Sequence, residues 1–249
     1  MSCFACLIQS CFNCCRRWHN LSAEARRKVK NYADLKTAEK AMALCQKVPK
    51  AVEGCTWYFN GGDDTILNSI SFSADFATIS QVCFDGNGKH DNGSYQYTYT
   101  VDPENIVVAL SDGSSLTIPY KLVGETISVG NGEYYTIDEV DVAIQGCWNY
   151  RDSSVILGEK CVSDHSILFE NGNVISESAS LAFGATNGEY YYYGPYEGTY
   201  TLNLGGITTS MYKGNEWFFN IIDGEVVILH YGHVCKPSAG LPGEYGYSF

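Results

Sequence analysis

Two similar stretches of sequence, GSYQYTYTV at 93–101 and GPYEGTYTL at 194–202, decide the fold of this chain. In the first stretch, Tyr95, Tyr97 and Tyr99 alternate with polar residues. A period of two places alternate side chains on the same face of a strand. The stretch therefore predicts a β-strand with an aromatic face, and the later copy predicts a second strand of the same kind.

The later stretch keeps the aromatic face with two tyrosines, while Gly198 leaves a gap between their rings. A face of phenol rings that points into a barrel mouth suits a small amphipathic ligand, because each ring has an apolar body and a polar tip. The same rings would equally serve as the core of a small barrel. The predicted ligand-binding residues are Tyr95, Tyr97, Tyr99, Tyr196 and Tyr200.

The similarity extends beyond these stretches and predicts two tandem units. KLVGETISV at 121–129 matches NIIDGEVVI at 220–228, in the same order along the chain. Earlier in each unit, Ile70-x-Phe72 matches Ile167-x-Phe169. Each unit also opens with Gly and Cys before a Trp, as Gly54-Cys55-Thr56-Trp57 and as Gly146-Cys147-Trp148.

Asn-Gly and Asp-Gly pairs recur through the body of the chain and predict tight hairpin turns between short strands. They lie at 60–61, 85–86, 87–88, 92–93, 112–113, 131–132, 171–172, 187–188 and 223–224. The predicted fold class is mainly β, with two tandem antiparallel β-barrel or sandwich units preceded by an α-helical N-terminal segment. The predicted divisions are a helical segment at 1–50, β units at 51–143 and 144–236, and a tail at 237–249.

A Gly-x-Trp strand, an (I/V)-x-F strand and short up-and-down hairpins resemble the lipocalin-like (calycin) barrels over residues 52–235. Gly146-Cys147-Trp148 matches the first motif as written, whereas Thr56 adds one residue before Trp57. The resemblance implies that Trp148 and Trp57 close the barrel floors, a structural task. Two features depart from the family: each unit is shorter than a full lipocalin, and no arginine of a late strand is placed to pack on the Trp.

Charge divides the chain into two parts. Its 249 residues carry a formal net charge of −12, but residues 1–50 hold ten Lys and Arg against three Asp and Glu. An acidic body is not expected to bind nucleic acid, because phosphate contacts need basic side chains. The basic segment leaves phosphate-bearing partners open, lipid or nucleic acid. No run reaches the roughly 18–20 apolar residues of a membrane-spanning helix.

The first twenty residues, MSCFACLIQSCFNCCRRWHN, are rich in cysteine. On a helical wheel, most of the cysteines share one face with Phe4, Leu7, Ile8, Phe12 and Trp18. Such a face favours lipidation and attachment to a membrane surface, with the following Arg and Lys residues as a second signal. Packing on a partner protein and a tetrahedral zinc site are the alternatives. The residues concerned are Cys3, Cys6, Cys11, Cys14 and Cys15.

A second helix is predicted to follow, with Ser22 as its N-cap and its end before Pro49. The start of the sequence has no basic region ahead of its apolar stretch, so it is not typical of a secretory signal. We therefore expect an intracellular, cytoplasmic protein that is not secreted, with a membrane surface or protein partner engaged through residues 1–30. Its thiols are expected to be mostly free.

The sequence favours no catalytic or metal site. It holds no Gly-x-Ser-x-Gly, Walker or HExxH motif, and nothing selects a carboxylate pair. His230 and His233 resemble a metal-binding pair, but on one continuous strand they would point to opposite faces. We expect no enzyme activity, no cofactor and no bound metal.

The expected function is that of a non-catalytic binding or scaffold protein. Its lipocalin-like units would take a small apolar or amphipathic ligand, and its N-terminal helix would tether it to a membrane surface or partner. The alternative is a structural subunit of a larger assembly, with barrels fully packed by their own side chains. A hydrolase on a barrel scaffold is the third hypothesis.

Overall fold

The structure is a computed structural model that describes residues 32–156, 159–183, 189–211 and 217–243. Within them the chain is mainly β, with two antiparallel sheets after an N-terminal helix. The predicted fold class is confirmed. The first sheet forms a half-barrel and the second a nearly closed barrel. The finer lipocalin-like assignment stays a prediction, as do the predicted divisions of the chain.

The first sheet is a meander in which each strand pairs with the next one along the chain. Neighbouring strands are antiparallel, as short hairpin connections require. Its strands are β1 (Thr56–Asn60), β2 (Ile66–Phe72), β3 (Phe76–Asp85), β4 (Gly88–Val101), β5 (Asn105–Ala109), β6 (Ser115–Val123) and β7 (Thr126–Val129).

Helix α1 (Tyr32–Val52) packs against the inner face of the first sheet. The expectation that the helix ends before Pro49 is wrong, because the helix continues to Val52 with the proline inside it. An internal proline costs about 3 kcal/mol. Val48 and Val52 are fully buried beside Trp57, and burying two valines at about 1.5–3 kcal/mol each offsets that cost.

The predictions for the first residues concern positions outside the described part of the chain. These are the N-cap Ser22 and the segment with Cys3, Cys6, Cys11, Cys14 and Cys15. Neither helix within the described residues has the length and apolar character needed to cross a bilayer.

The second sheet closes on itself almost completely. Its edge strands are β15 and β16, which are separated only by Cys235 in the sequence. One short piece of chain therefore pairs with β14 on one side and with β8 on the other. The strands are β8 (Gly146–Ile156), β9 (Glu159–Glu170), β10 (Asn173–Phe183), β11 (Glu189–Leu202), β12 (Gly206–Thr209), β13 (Trp217–Ile222), β14 (Glu225–His230), β15 (His233–Val234) and β16 (Lys236–Ser238).

Alternation along the first sheet divides its apolar residues between two cores. Trp57 and Ile70 face the first core with α1, whereas Tyr58 and Leu67 face the opposite way. These outward residues are buried in the core of the second sheet, together with Val82 and Phe84 of β3. The two sheets therefore share a packed interface.

Helix α2 (Ile137–Ala143) closes one end of the second barrel. Its N-terminus is fixed by a capping box between Thr136 and Glu139, which satisfies two backbone donors. Val140 and Ile144 are fully buried in the second core. The indole N–H of Trp148 donates to the carbonyl oxygen of Ile144 at 2.8 Å, so the floor of the barrel is fastened to the end of this helix.

Candidate functional site

Side chains on the inner face of the second barrel lie in rows across its strands. Directly paired residues of antiparallel strands share a face. One row joins Trp148 of β8 to Ile167 of β9, and the neighbouring row below it includes Phe169 and Val174. All four are buried in the second core. These rows form the apolar floor of the barrel, next to α2.

The next row away from α2 is polar and aromatic. It runs from Tyr150 on β8 through His165 on β9 and Ser178 on β10 to Tyr193 on β11. The row beyond it continues the polar character, with Ser163 and Ser180 in hydrogen-bond contact at 2.8 Å between their hydroxyl oxygens. On β8 and β9 the inner surface therefore changes from apolar to amphipathic within two residues along the strand.

Histidine and tryptophan rings of β13, β14 and β15 complete this row. They reach it from the other side of the junction between β15 and β16. The ring of Tyr150 stacks on His233 with centroids 5.1 Å apart and on His165 at 6.4 Å. The ring of His230 lies 4.2 Å from Trp217 and 4.8 Å from His165. We call the set Tyr150, His165, Ser178, Tyr193, Trp217, His230 and His233 the mouth.

The mouth corrects one expectation about the histidines. His230 and His233 do not point to opposite faces, because the chain reverses between them at Tyr231 and Gly232. These two residues have φ of 47° and 75°, the left-handed values of a two-residue hairpin turn. The two histidines are therefore directly paired, and both contact Tyr150.

Tyrosines of β11 extend the mouth toward solvent. Tyr191 and Tyr193 share the inner face, paired with Ser180 and Ser178, and both remain more than two-fifths exposed. On the floor side of the mouth, Tyr196 pairs with Ser176, in the row of Trp148 and Ile167, and is 42% exposed. This half-exposed wall of phenol and hydroxyl groups can stack on a ring and donate hydrogen bonds.

The structure places the five predicted ligand-binding tyrosines in different surroundings on two sheets. Tyr97 and Tyr99 pack against the first core, where the Tyr99 hydroxyl donates to the Ser73 carbonyl at 2.9 Å. Tyr95 on the same strand is 57% exposed. Tyr196 lies in the row of Trp148 and Ile167, next to the mouth, and Tyr200 is buried in the second core. The five are not brought into one site, and their role as ligand-binding residues stays a prediction.

The gap that Gly198 leaves between the rings of Tyr196 and Tyr200 is filled in the structure. A methyl group placed on Gly198 would lie 2.6 Å from Cγ of Met211. Met211 itself packs against the second core. The gap therefore accommodates a side chain of the segment that follows β12.

The two predicted floor tryptophans are both buried. Trp57 belongs to the first core, where it meets Phe72 edge to face at 5.9 Å between centroids. Trp148 belongs to the second core. Their positions suit a structural task, which stays a prediction.

Burial raises the pKa of two groups in or beside the mouth. Burial raises the pKa of the Cys235 thiol to about 12, so this sulfur is protonated at neutral pH. Burial, followed by Asp152 and Cys235, raises the pKa of Tyr150. Within the described ranges, His, Cys, Asp and Glu form no group of three or more that is arranged to hold a metal ion.

No family model, curated protein or solved structure matches this chain. Tyr150, His165, Ser178 and Tyr193 were not predicted from the sequence as members of one site. Alternation gives each strand an inner face, but only the register between strands assembles one row from four of them.

Proposed function

We propose that this chain is a non-catalytic binding protein whose second barrel holds a small amphipathic ligand at its mouth. The observation that carries the proposal is the row of Tyr150, His165, Ser178 and Tyr193 directly above an apolar floor. Binding sites for small molecules combine apolar and aromatic walls with a few polar groups that fix orientation. The proposal assigns no catalytic residue, cofactor or metal.

The chemistry of the mouth indicates what kind of ligand fits. Trp217 and Tyr150 offer ring surfaces, and Ser178 and Tyr193 offer hydroxyl groups. A ligand with a flat apolar body and polar substituents would use both. A fully apolar ligand would leave hydroxyl groups unpaired, which costs about 1–3 kcal/mol for each buried group.

A fluorescent probe tests the mouth. The probe is 8-anilinonaphthalene-1-sulfonate, which is flat and amphipathic, and its emission rises on entering an apolar site. We expect Tyr193→Ser to weaken probe binding by about tenfold, the equivalent of roughly 1.4 kcal/mol. The matched control is Tyr190→Ser, because Tyr190 is similarly exposed on the same strand but points to the opposite face. Equal affinities for the two variants would contradict the proposal.

The proposal includes a tether at the N-terminal segment. Helix α1 anchors the described end of that segment on the first core through Val48 and Val52. The cysteine-rich face and its basic residues then provide the two signals that stable membrane attachment needs. We place the protein in the cytoplasm, where thiols stay reduced; Cys45, Cys55, Cys83, Cys147, Cys161 and Cys235 are all free.

Thiol-specific acyl exchange on protein from its native host tests the tether. We expect acyl label that disappears when Cys3, Cys6, Cys11, Cys14 and Cys15 are replaced by serine, and that persists in the control Cys55→Ser. Membrane pelleting should follow the label. An unlabelled protein that stays wholly in the supernatant, with no partner captured, would remove the tether.

One observation favours the alternative of a structural subunit. Met211 fills the space beside Gly198, and the floor of the second barrel is packed by its own side chains. If this packing continues through the mouth, the barrel has no room for a ligand. Absence of probe binding to the intact protein, together with a stable large assembly by native mass spectrometry, would support this alternative.

A further inference from the structure

An open cleft of about 900 Å³ lies where the two sheets meet. One wall comes from the loop after β1, another from the segment after β7, and the third from the turn between β13 and β14. A volume of this size is at the upper end of the range for small-molecule sites. The cleft shares no residue with the mouth.

Hydrogen bonds between the sheets hold the walls of this cleft in place. The Asn60 side-chain amide donates to the carbonyl oxygen of Ile221 at 2.7 Å. In the other direction, the Asn220 amide donates to the carbonyl oxygen of Asp64 at 2.7 Å. Asn220 is fully buried and Asn60 is half-buried, and both bonds are partly buried. The cleft is therefore formed before any ligand arrives, which reduces the entropy lost on binding.

Two of the residues that line the cleft are aromatic and stack on each other. The rings of Phe59 and Tyr134 stack with centroids 4.9 Å apart and planes inclined by 27°. Both residues line the cleft. Aromatic faces carry a negative quadrupole and attract cations within about 6 Å of the ring centroid.

The charged side chains of the cleft all have the same sign. Asp64, Glu133 and Asp223 contribute carboxylates, and the described lining residues include no lysine, arginine or histidine. None of the three forms an ion pair with another described residue. A cleft walled by one sign of charge concentrates the opposite charge and repels its own.

We propose that this cleft binds a small organic cation that carries amine groups. The half-buried ring of Tyr134 attracts the positive charge, and the carboxylates accept hydrogen bonds from the ammonium groups. The side chains of Asn68 and Asn131 add neutral polar contacts on the walls. The site is independent of the ligand proposed for the mouth.

Calorimetric titration with 1,4-diaminobutane tests this site on the full chain. Two isosteric compounds serve as ligand controls: 1,4-butanediol is neutral and succinate is anionic. We expect the diamine to bind and the two controls not to bind. Its affinity should fall steeply when salt is raised to about 0.2 M, because ions screen exposed charges. Absence of diamine binding at low salt, or equal binding of the butanediol, would overturn the proposal.

A pair of variants locates the binding. Glu133→Gln combined with Asp223→Asn should weaken diamine binding at least tenfold, because the two changes remove charge and preserve shape. The matched control is Glu104→Gln combined with Glu125→Gln, which removes the same charge from exposed positions outside this cleft. Thermal unfolding checks that both variants fold. Equal loss of diamine affinity in the two double variants would overturn the proposed site. Tyr193→Ser should leave diamine binding unchanged, which would show that the cleft and the mouth are separate sites.

Discussion

Tyr200 on β11 donates a hydrogen bond from its hydroxyl to the carboxylate of Asp141 on α2. The amide of Gln145 donates to the same hydroxyl at 2.8 Å, so the barrel wall and the end of the helix share one polar network. The ring of Tyr200 also meets Phe169 edge to face at 5.0 Å between centroids. Helix α2 is therefore held by both polar and apolar contacts.

Replacing Tyr200 by Phe separates these two contributions. Tyr200→Phe keeps the contact with Phe169 and removes the hydrogen bonds of the hydroxyl, leaving Asp141 and Gln145 without this partner. We expect a loss of about 1–3 kcal/mol in the free energy of unfolding, measured by urea denaturation. Tyr95→Phe is the control, since Tyr95 is exposed, and it should change stability by less than about 0.5 kcal/mol. A loss no greater than that of the control would show that the hydrogen bonds of Tyr200 do not contribute to the free energy of unfolding.

A glycine in a hairpin turn reports on the contact between the sheets. Gly232 has φ of 75°, and a methyl group placed on it would lie 2.4 Å from the carbonyl oxygen of Asp85. Gly172 has a similar φ of 83°, and nothing lies within 4 Å of the same methyl position. Gly172→Ala should cost only the strain of its backbone, about 1 kcal/mol, whereas Gly232→Ala adds a clash with the first sheet. Equal urea midpoints would show that the two sheets separate easily here.

The predicted floor tryptophan can be tested in the same way. Trp148→Phe removes the hydrogen bond to the Ile144 carbonyl and leaves a cavity in the second core. We expect the free energy of unfolding, measured by urea denaturation, to fall by about 2–4 kcal/mol. Probe binding at the mouth, measured under conditions where the variant is folded, should change little. A variant as stable as the parent would exclude a structural task for this side chain.

Buried phenols make the stability depend on alkaline pH. Burial raises the pKa of Tyr120 and of Tyr134 to about 12, above the ordinary 10.0. The unfolded chain loses these protons near pH 10 and the folded chain keeps them, so stability is full below about pH 10 and falls toward pH 12. Urea titrations across this window measure the slope, and Tyr134→Phe should make it shallower. An unchanged slope in the variant would contradict the assignment.

Local sequence was enough to predict several turns. Asn171-Gly172 joins β9 to β10 and Asp223-Gly224 joins β13 to β14, with all four residues at positive φ. This is the conformation that such dipeptides favour in two-residue hairpins. The strand class of the fold followed from the same local signals.

Other features depend on neighbours that the local sequence does not identify. Asn92-Gly93 lies inside β4, where Gly93, at φ of 105°, lies near an irregularity in the pairing with Gln81 and Val82. Tyr231-Gly232 forms a hairpin turn without the usual asparagine or aspartate. Because the chain turns there, His230 and His233 lie on the same face, whereas the sequence alone predicts opposite faces.

Closure of the second barrel was also beyond local prediction. The matched tyrosine stretches lie in β4 and β11, both of 14 residues, yet only the second sheet nearly closes. The difference depends on β16 pairing with β8, a contact between residues far apart in the sequence. That the two units share an origin stays a prediction.

The outward face of the first sheet, with Tyr58, Leu67, Val82 and Phe84, is buried in the core of the second. Neither sheet can therefore be moved into another protein without the other. A chimaera with only the barrel would expose apolar side chains of the second core to water. A chimaera with only the half-barrel would expose the outward apolar face of the first sheet. A graft of the mouth onto another scaffold must therefore include the outward apolar residues of the first sheet or replace them with an equivalent apolar surface.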